Sequence, residues 1–108
     1  MTRIIMNGCN GKMGQCITGI CNADPEVEIV AGIDVYDGIK NDYPVFPSIS
    51  ACDVEADVII DFSHPALLDD MLKFAKSKNI PLVIATTGYN EAQIDAINKA
   101  SSEIPVFF

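Results

Sequence analysis

Glycine recurs every third residue in the stretch IMNGCNGKMG, at Gly8, Gly11 and Gly14, directly after a short apolar run. Glycine costs chain entropy, so this density requires a backbone role. Between a strand and a helix, such a loop can hold a phosphate. Gly8 permits a tight turn off the strand. Gly11 has no side chain to keep a pyrophosphate from the backbone. Gly14 lets the helix lie close to the sheet. The helix N-terminus then supplies unpaired N–H groups and a partial positive charge. The spacing is G-x-x-G-x-x-G, a variant of the dinucleotide fingerprint G-x-G-x-x-G. It is not a P-loop, because Lys12 follows Gly11 with no Ser or Thr behind it. A plain packing turn is the alternative, and the strand–loop–helix context favours the dinucleotide reading.

Twenty residues after Gly14 comes Asp34, at the end of a second β-rich run, VEIVAGID. A carboxylate there can accept hydrogen bonds from the adenosine ribose hydroxyls. Its charge disfavours a 2′-phosphate, and Val35-Tyr36 supplies no adjacent arginine, so NADH is expected over NADPH. Two further segments, DFSHP (61–65) and ATTGY (85–89), fall at the carboxyl ends of apolar runs. In an open parallel sheet, ligands bind outside those ends. Phe62 can therefore pack near a cofactor, and Ser63, Thr86 and Thr87 can hydrogen-bond a nicotinamide or its ribose. His64 is the only histidine. A general acid is the tempting role, but Asp61 is the one carboxylate near it, and a residue beside a helix cap is the preferred reading. Ser63 lacks the G-x-S-x-G elbow of a hydrolase nucleophile.

These residues need a scaffold. Residues 3–7, 27–34, 57–62, 81–85 and 104–108 read as strands, and 12–22, 65–78 and 90–102 as helices. Helix 12–22 carries Met13, Cys16, Ile17 and Ile20 at helical spacing, and helix 65–78 carries Leu68, Met71, Leu72 and Ala75. Asn90 and Gln93 have the spacing of a capping box. Segment 35–55, rich in proline and polar residues, reads as a loop with at most a short helix or strand. Alternating strands and helices with continuous apolar strands predict an α/β, Rossmann-like open parallel sheet with helices on both faces. The 108 residues suffice for one domain, 1–108, and 49% are apolar. The net charge of −8 argues against nucleic acid and anionic membrane surfaces. With no apolar run long enough to span a bilayer and no signal-peptide pattern, a cytoplasmic location is expected. The cysteines Cys9, Cys16, Cys21 and Cys52 form no C-x-x-C pair, so no metal site is expected. Cys16, and with it Cys21, is expected in the core of its helix.

GCNGKMG, DFSHP and TTGY, in that order and spacing, resemble the N-terminal domain of the dihydrodipicolinate reductase (4-hydroxy-tetrahydrodipicolinate reductase) family over the whole chain. The resemblance implies an oxidoreductase of lysine and diaminopimelate biosynthesis that uses NAD(P)H to reduce a cyclic imine dicarboxylate. It implies that Gly8, Cys9, Asn10, Gly11, Lys12 and Met13 hold the pyrophosphate and Asp34 the ribose. Ala85, Thr86 and Thr87 then lie by the nicotinamide, with Phe62, Ser63 and His64 flanking the cofactor. The family usually has glycine where Ala85 stands. Its catalytic histidine and lysine belong to a later substrate-binding domain that also forms a tetramer, so no catalytic residue is expected before Phe108, and the 108-residue piece is expected to be inactive. The chain ends in an apolar strand, as though cut from a longer protein, and is expected to self-associate. The competing readings are the N-terminal domain of another NAD-dependent amino-acid-pathway dehydrogenase and a non-catalytic nucleotide-sensing module.

Overall fold

The computed structural model describes residues 2–36 and 38–108. Six parallel strands form one sheet in the order β3-β2-β1-β4-β5-β6. They are β1 (Thr2–Asn7), β2 (Val27–Ile33), β3 (Val45–Phe46), β4 (Val58–Asp61), β5 (Leu82–Ile84) and β6 (Val106–Phe107). The helices are α1 (Lys12–Asn22), α2 (Leu68–Lys78) and α3 (Glu91–Ala100). β1 lies at the centre, and its neighbours β2 and β4 are reached by connections running in opposite directions. This reversal is the switch point at which open α/β sheets bind ligands. Among the described residues, no helix is long and apolar enough to cross a membrane.

The strands divide the core by alternation, except that a register shift in β2 opposite Ile4 and Ile5 sends Ile29 and Ala31 to opposite faces. Ile5, Ala31, Ile33, Ile59, Leu82 and Ile84 join Leu68, Met71, Leu72 and Ala75 of α2 and Ile97 and Ala100 of α3 on one face. Ile4, Met6 and Ile29 join Cys9 and Cys21 on the α1 face. The predicted α2 stripe is therefore buried in full, and Leu68, Met71 and Leu72 each stabilise by about 1.5–3 kcal/mol. α2 carries Asp69 and Asp70 in its first turn and Lys76 and Lys78 in its last, in accord with the helix dipole, and stops at Asn79 in the left-handed region (φ 56°). A 3-10 turn, Pro65–Leu67, precedes it where a continuous helix is predicted. The capping box at Asn90 and Gln93 is complete in both directions.

One expectation is refined and one corrected. Segment 35–55, read as a loop with at most a short helix or strand, carries one of each: a two-residue strand, β3, and a 3-10 turn, Ile49–Ala51, whose Ile49 is buried. The α1 stripe is corrected in part: Met13 is 51% and Ile20 64% exposed and Cys16 is exposed, whereas Ile17 packs against the α1-face core and Cys21 is buried as expected, together with Gly14. The cause is Gly14. A Cβ there would overlap the carbonyls of Gly8 and Cys9, so this position must face the turn. The residues on its side of the helix, Ile17, Thr18 and Cys21, follow it inward, and Cys16 turns out.

Burial pushes the thiols of Cys9, Cys21 and Cys52 up from their ordinary value. A thiolate-selective reagent applied to the native chain should therefore modify Cys16 well before the other three, as read by mass spectrometry of the digest. Equal or earlier modification of Cys21 would contradict the rotation of α1.

Candidate functional site

The chain leaves β1 through Gly8, whose φ is +86° and where a Cβ would strike the Phe62 carbonyl. Only glycine meets both conditions. The N–H groups of Gly8 and Cys9 both donate to the Ile33 carbonyl, at 2.7 and 3.3 Å, which ties the turn to the end of β2. Gly11 is the N-cap of α1, and no side chain caps the helix. Among the described residues, no acceptor takes the N–H of Lys12, Met13 or Gly14. Three such donors, with the positive end of the helix dipole, are an arrangement able to receive an anion. Space around Gly11 is open apart from an ordinary contact with the Gly8 carbonyl.

Asp34 lies one residue past β2. Its Oδ2 accepts from the Asn10 N–H at 3.0 Å and its Oδ1 from the Tyr36 N–H at 3.0 Å. A carboxylate has about four lone-pair sites, so two remain. The Asn10 carboxamide adds a second tie: it donates to the Tyr36 carbonyl at 2.5 Å and accepts from Asn41 Nδ2 at 2.7 Å. Asn10 and Cys9 are buried under the loop, so their side chains hold its shape from inside.

On the other side of β1, Asp61 ends β4 and is fully buried. Asn7 Nδ2 donates to its Oδ1 at 3.0 Å, the Ser63 N–H at 3.2 Å and Ser63 Oγ at 2.5 Å. Thr86 Oγ1 and the Tyr89 hydroxyl donate to its Oδ2 at 2.8 and 3.3 Å. An ionised carboxylate can stay buried only with such compensation. The five donors come from the ends of β1, β4 and β5 and from the loop after β5, so one carboxylate binds those ends together. His64 is exposed and caps the turn before α2, its Nδ1 accepting from the Ala66 N–H at 3.1 Å. The preferred reading put His64 beside a helix cap; the structure makes it the cap itself, solvent-exposed and with no bond to Asp61.

Two adjoining clefts open at the carboxyl edge of the sheet. Gly8, Gly11, Asp34, Phe62, Ser63 and His64 line the first, with Asn7, Ile33 and Val35. Lys12, Met13, Phe62, Ser63, His64, Ala85, Thr86 and Thr87 line the second. The segment Phe62-Ser63-His64 is the wall they share. Of the predicted site residues, only Cys9 and Asn10 line neither. Sequence reasoning missed Asn7, Asp61 and Tyr89, and the Pro47-Ser48-Ile49 wall of the first cleft. A polar Asn7 and Asp61 closing two apolar strands were the available signal; Pro47–Ile49 lie in an irregular stretch without periodicity. Among the described residues, no group of His, Cys, Asp and Glu has the geometry to hold a metal.

Burial, then the Asp61 charge, pushes the Tyr89 hydroxyl up to about 12. In the unfolded chain tyrosine ionises near ~10. The native state therefore keeps a proton that the unfolded chain loses. This contribution to stability is intact below about 10 and disappears as pH rises to about 12. Denaturant midpoints measured across that window should fall less steeply for Tyr89→Phe than for the wild type; parallel slopes would contradict the burial of the hydroxyl.

Comparison with known proteins identifies the family and the fold. The family model described as dihydrodipicolinate reductase, N-terminus, matches residues 2–108. The 4-hydroxy-tetrahydrodipicolinate reductase of Clostridium novyi (strain NT) is 46% identical over 107 residues, covering 99% of this chain and 42% of that protein. Its counterpart in Clostridium tetani (strain Massachusetts / E88) is 42% identical over the same shares of each. The chain thus spans about two-fifths of the length of the curated relatives it matches. Among solved structures, the dipicolinate-bound dihydrodipicolinate reductase from Paenisporosarcina sp. TG-14 superposes with a TM-score of 0.79 at 24% identity, over 95% of this chain and 44% of that one. The homoserine dehydrogenase of S. aureus superposes at 0.76 with 12% identity, over 98% of this chain and 31% of that one, a likeness of fold alone. The chain belongs to the dihydrodipicolinate reductase family, and its matched region is the N-terminal part of that family.

Proposed function

We propose that this chain is the pyridine-nucleotide-binding part of a 4-hydroxy-tetrahydrodipicolinate reductase and that it prefers NADH. The observation that carries the reading is the pairing of the uncapped α1 N-terminus with a carboxylate anchored beside it. The N–H groups of Lys12, Met13 and Gly14 would hold the pyrophosphate, and the open approach over Gly11 fits a group lying against the backbone. Asp34, held by two backbone N–H groups, has lone pairs left for two ribose hydroxyls. A 2′-phosphate would meet that charge, and Val35 beside it is 84% exposed and carries no cation. Lys12 at the edge of the second cleft offsets part of the negative field.

The second cleft would then take the nicotinamide, between the wall Phe62-Ser63-His64 and the segment Ala85-Thr86-Thr87. When bound, the cofactor would supply a hydride for a cyclic imine dicarboxylate, the substrate class that the family resemblance implies. This chain's residues hold and orient one of the two reactants. The proton donor and the clamp for the substrate carboxylates are assigned to the further length that the relatives have, as is assembly into a tetramer. On this reading the 108 residues bind cofactor without turnover.

Calorimetry with NADH and NADPH tests the proposal. NADH should bind more tightly, and Asp34→Ala should cost about 1–3 kcal/mol of NADH binding while narrowing its lead over NADPH. Gly11→Ala should weaken both cofactors and leave the unfolding midpoint near that of the wild type, since its Cβ meets only an ordinary contact. Unchanged NADH affinity in Asp34→Ala would refute the ribose assignment, and no binding at millimolar NADH would refute the reading as a whole.

A further inference from the structure

The direction of each proton around Asp61 can be deduced. Asn7 Nδ2 and the Ser63 N–H can only donate. Ser63 Oγ receives from Asn7 Nδ2 at 3.3 Å, and its own proton goes to Asp61 Oδ1 at 2.5 Å. Thr86 Oγ1 receives from the Ser63 N–H at 2.9 Å, and its own proton goes to Asp61 Oδ2 at 2.8 Å. Both hydroxyl protons therefore point into the protein, toward one buried carboxylate. Ser63 lines both clefts and Thr86 the second, and neither hydroxyl has a proton left to offer the crevice.

We infer that Asp61 is a positioning residue that makes the inner half of the crevice a hydrogen-bond acceptor, and that this half selects a ligand presenting an N–H. The inference rests on the pyridine-nucleotide reading above and deepens it. The carboxamide NH2 of a nicotinamide is such a donor, and a ring substituent offering only a carbonyl at that position is disfavoured. The selection does not come from Ser63 or Thr86 alone, because a free hydroxyl rotates and serves a donor or an acceptor equally well. It comes from the carboxylate that takes both protons.

An amide at position 61 changes this in a definite way. Its oxygen must stay toward the two obligate donors, Asn7 Nδ2 and the Ser63 N–H. Its NH2 group then faces Thr86 and reverses that hydroxyl, which turns its proton to the crevice. Asp61→Asn therefore keeps the shape of the site and inverts part of its polarity. Ser63→Ala removes the other outward lone pair and leaves Asp61 with four of its donors.

The test compares binding of NADH, the reduced 3-acetylpyridine analogue (a methyl ketone in place of the carboxamide) and ADP to the wild type and both variants, by calorimetry on the 108-residue chain. The wild type should favour NADH over the analogue roughly three- to tenfold, the scale of one ordinary hydrogen bond. Both variants should narrow that preference to about twofold or less, with a clearly smaller change in ADP affinity, because ADP carries no nicotinamide. If Asp61→Asn does not fold, Ser63→Ala carries the same prediction. A wild type that binds NADH and ADP but does not distinguish the analogue overturns the inference and leaves the cofactor reading intact. So does an unaltered preference in the folded variants. A chain that binds neither NADH nor ADP overturns both.

Discussion

The close approach of α1 to the end of β1 is the constraint on which the rest of this structure depends. Gly8 passes under the Phe62 carbonyl, and Gly14 presses against the carbonyls of Gly8 and Cys9. Neither position tolerates a Cβ. With both contacts made, the first turn of α1 stands directly over the carboxyl edge of β1. Its three free N–H groups then point along that edge rather than into solvent at a distance from it. The same contact sets the rotation of the helix, and so decides which of its side chains are buried.

A second interaction completes the crevice on the far side of β1. Strands β1, β4 and β5 are held by backbone ladders that run on to Phe62 and Ala85, but the residues beyond those have no such restraint. Asp61 supplies it by gathering donors from Asn7, Ser63, Thr86 and Tyr89. A buried charge is costly, and hydrogen bonds to a charged group are worth about 1.5–3 kcal/mol each, so the arrangement is stable only when nearly all its members are present. Asp34 plays the corresponding part near the end of β2, through the N–H groups of Asn10 and Tyr36. Two carboxylates, one on either side of the switch point, thus fix the loops that line the two clefts.

Much of this was legible in the sequence, and the failures have physical causes. The glycine spacing after an apolar run specified the β1–α1 turn, because only a close backbone approach requires it. The α2 stripe and the Asn90 capping box were readable because both are local patterns with a single geometric meaning. The α1 face was misread in part because apolar periodicity was taken to mark the buried side, whereas the contact at Gly14 overrides a weak stripe containing Met13, Cys16 and Ile20. β3 could be anticipated only as an unplaced short element, because two residues, Val45 and Phe46, are too few to carry a period. The role of Asp61 depends on four residues up to 54 positions away in sequence, and no local pattern encodes that convergence. Cys9 and Asn10 lie in the right loop, but the motif does not reveal that their side chains turn inward.

The central claim is that the crevice at the switch point between β1 and β4 binds one pyridine nucleotide along both clefts. Amide chemical shifts recorded as NADH is titrated into the chain test it most directly. The account predicts that the largest changes fall on Lys12, Met13 and Gly14, on the residues around Asp34, and on Ser63 and Thr87, with α3 and the residues around β6 unmoved. Changes centred on α3 or β6, or none at millimolar NADH, would contradict it.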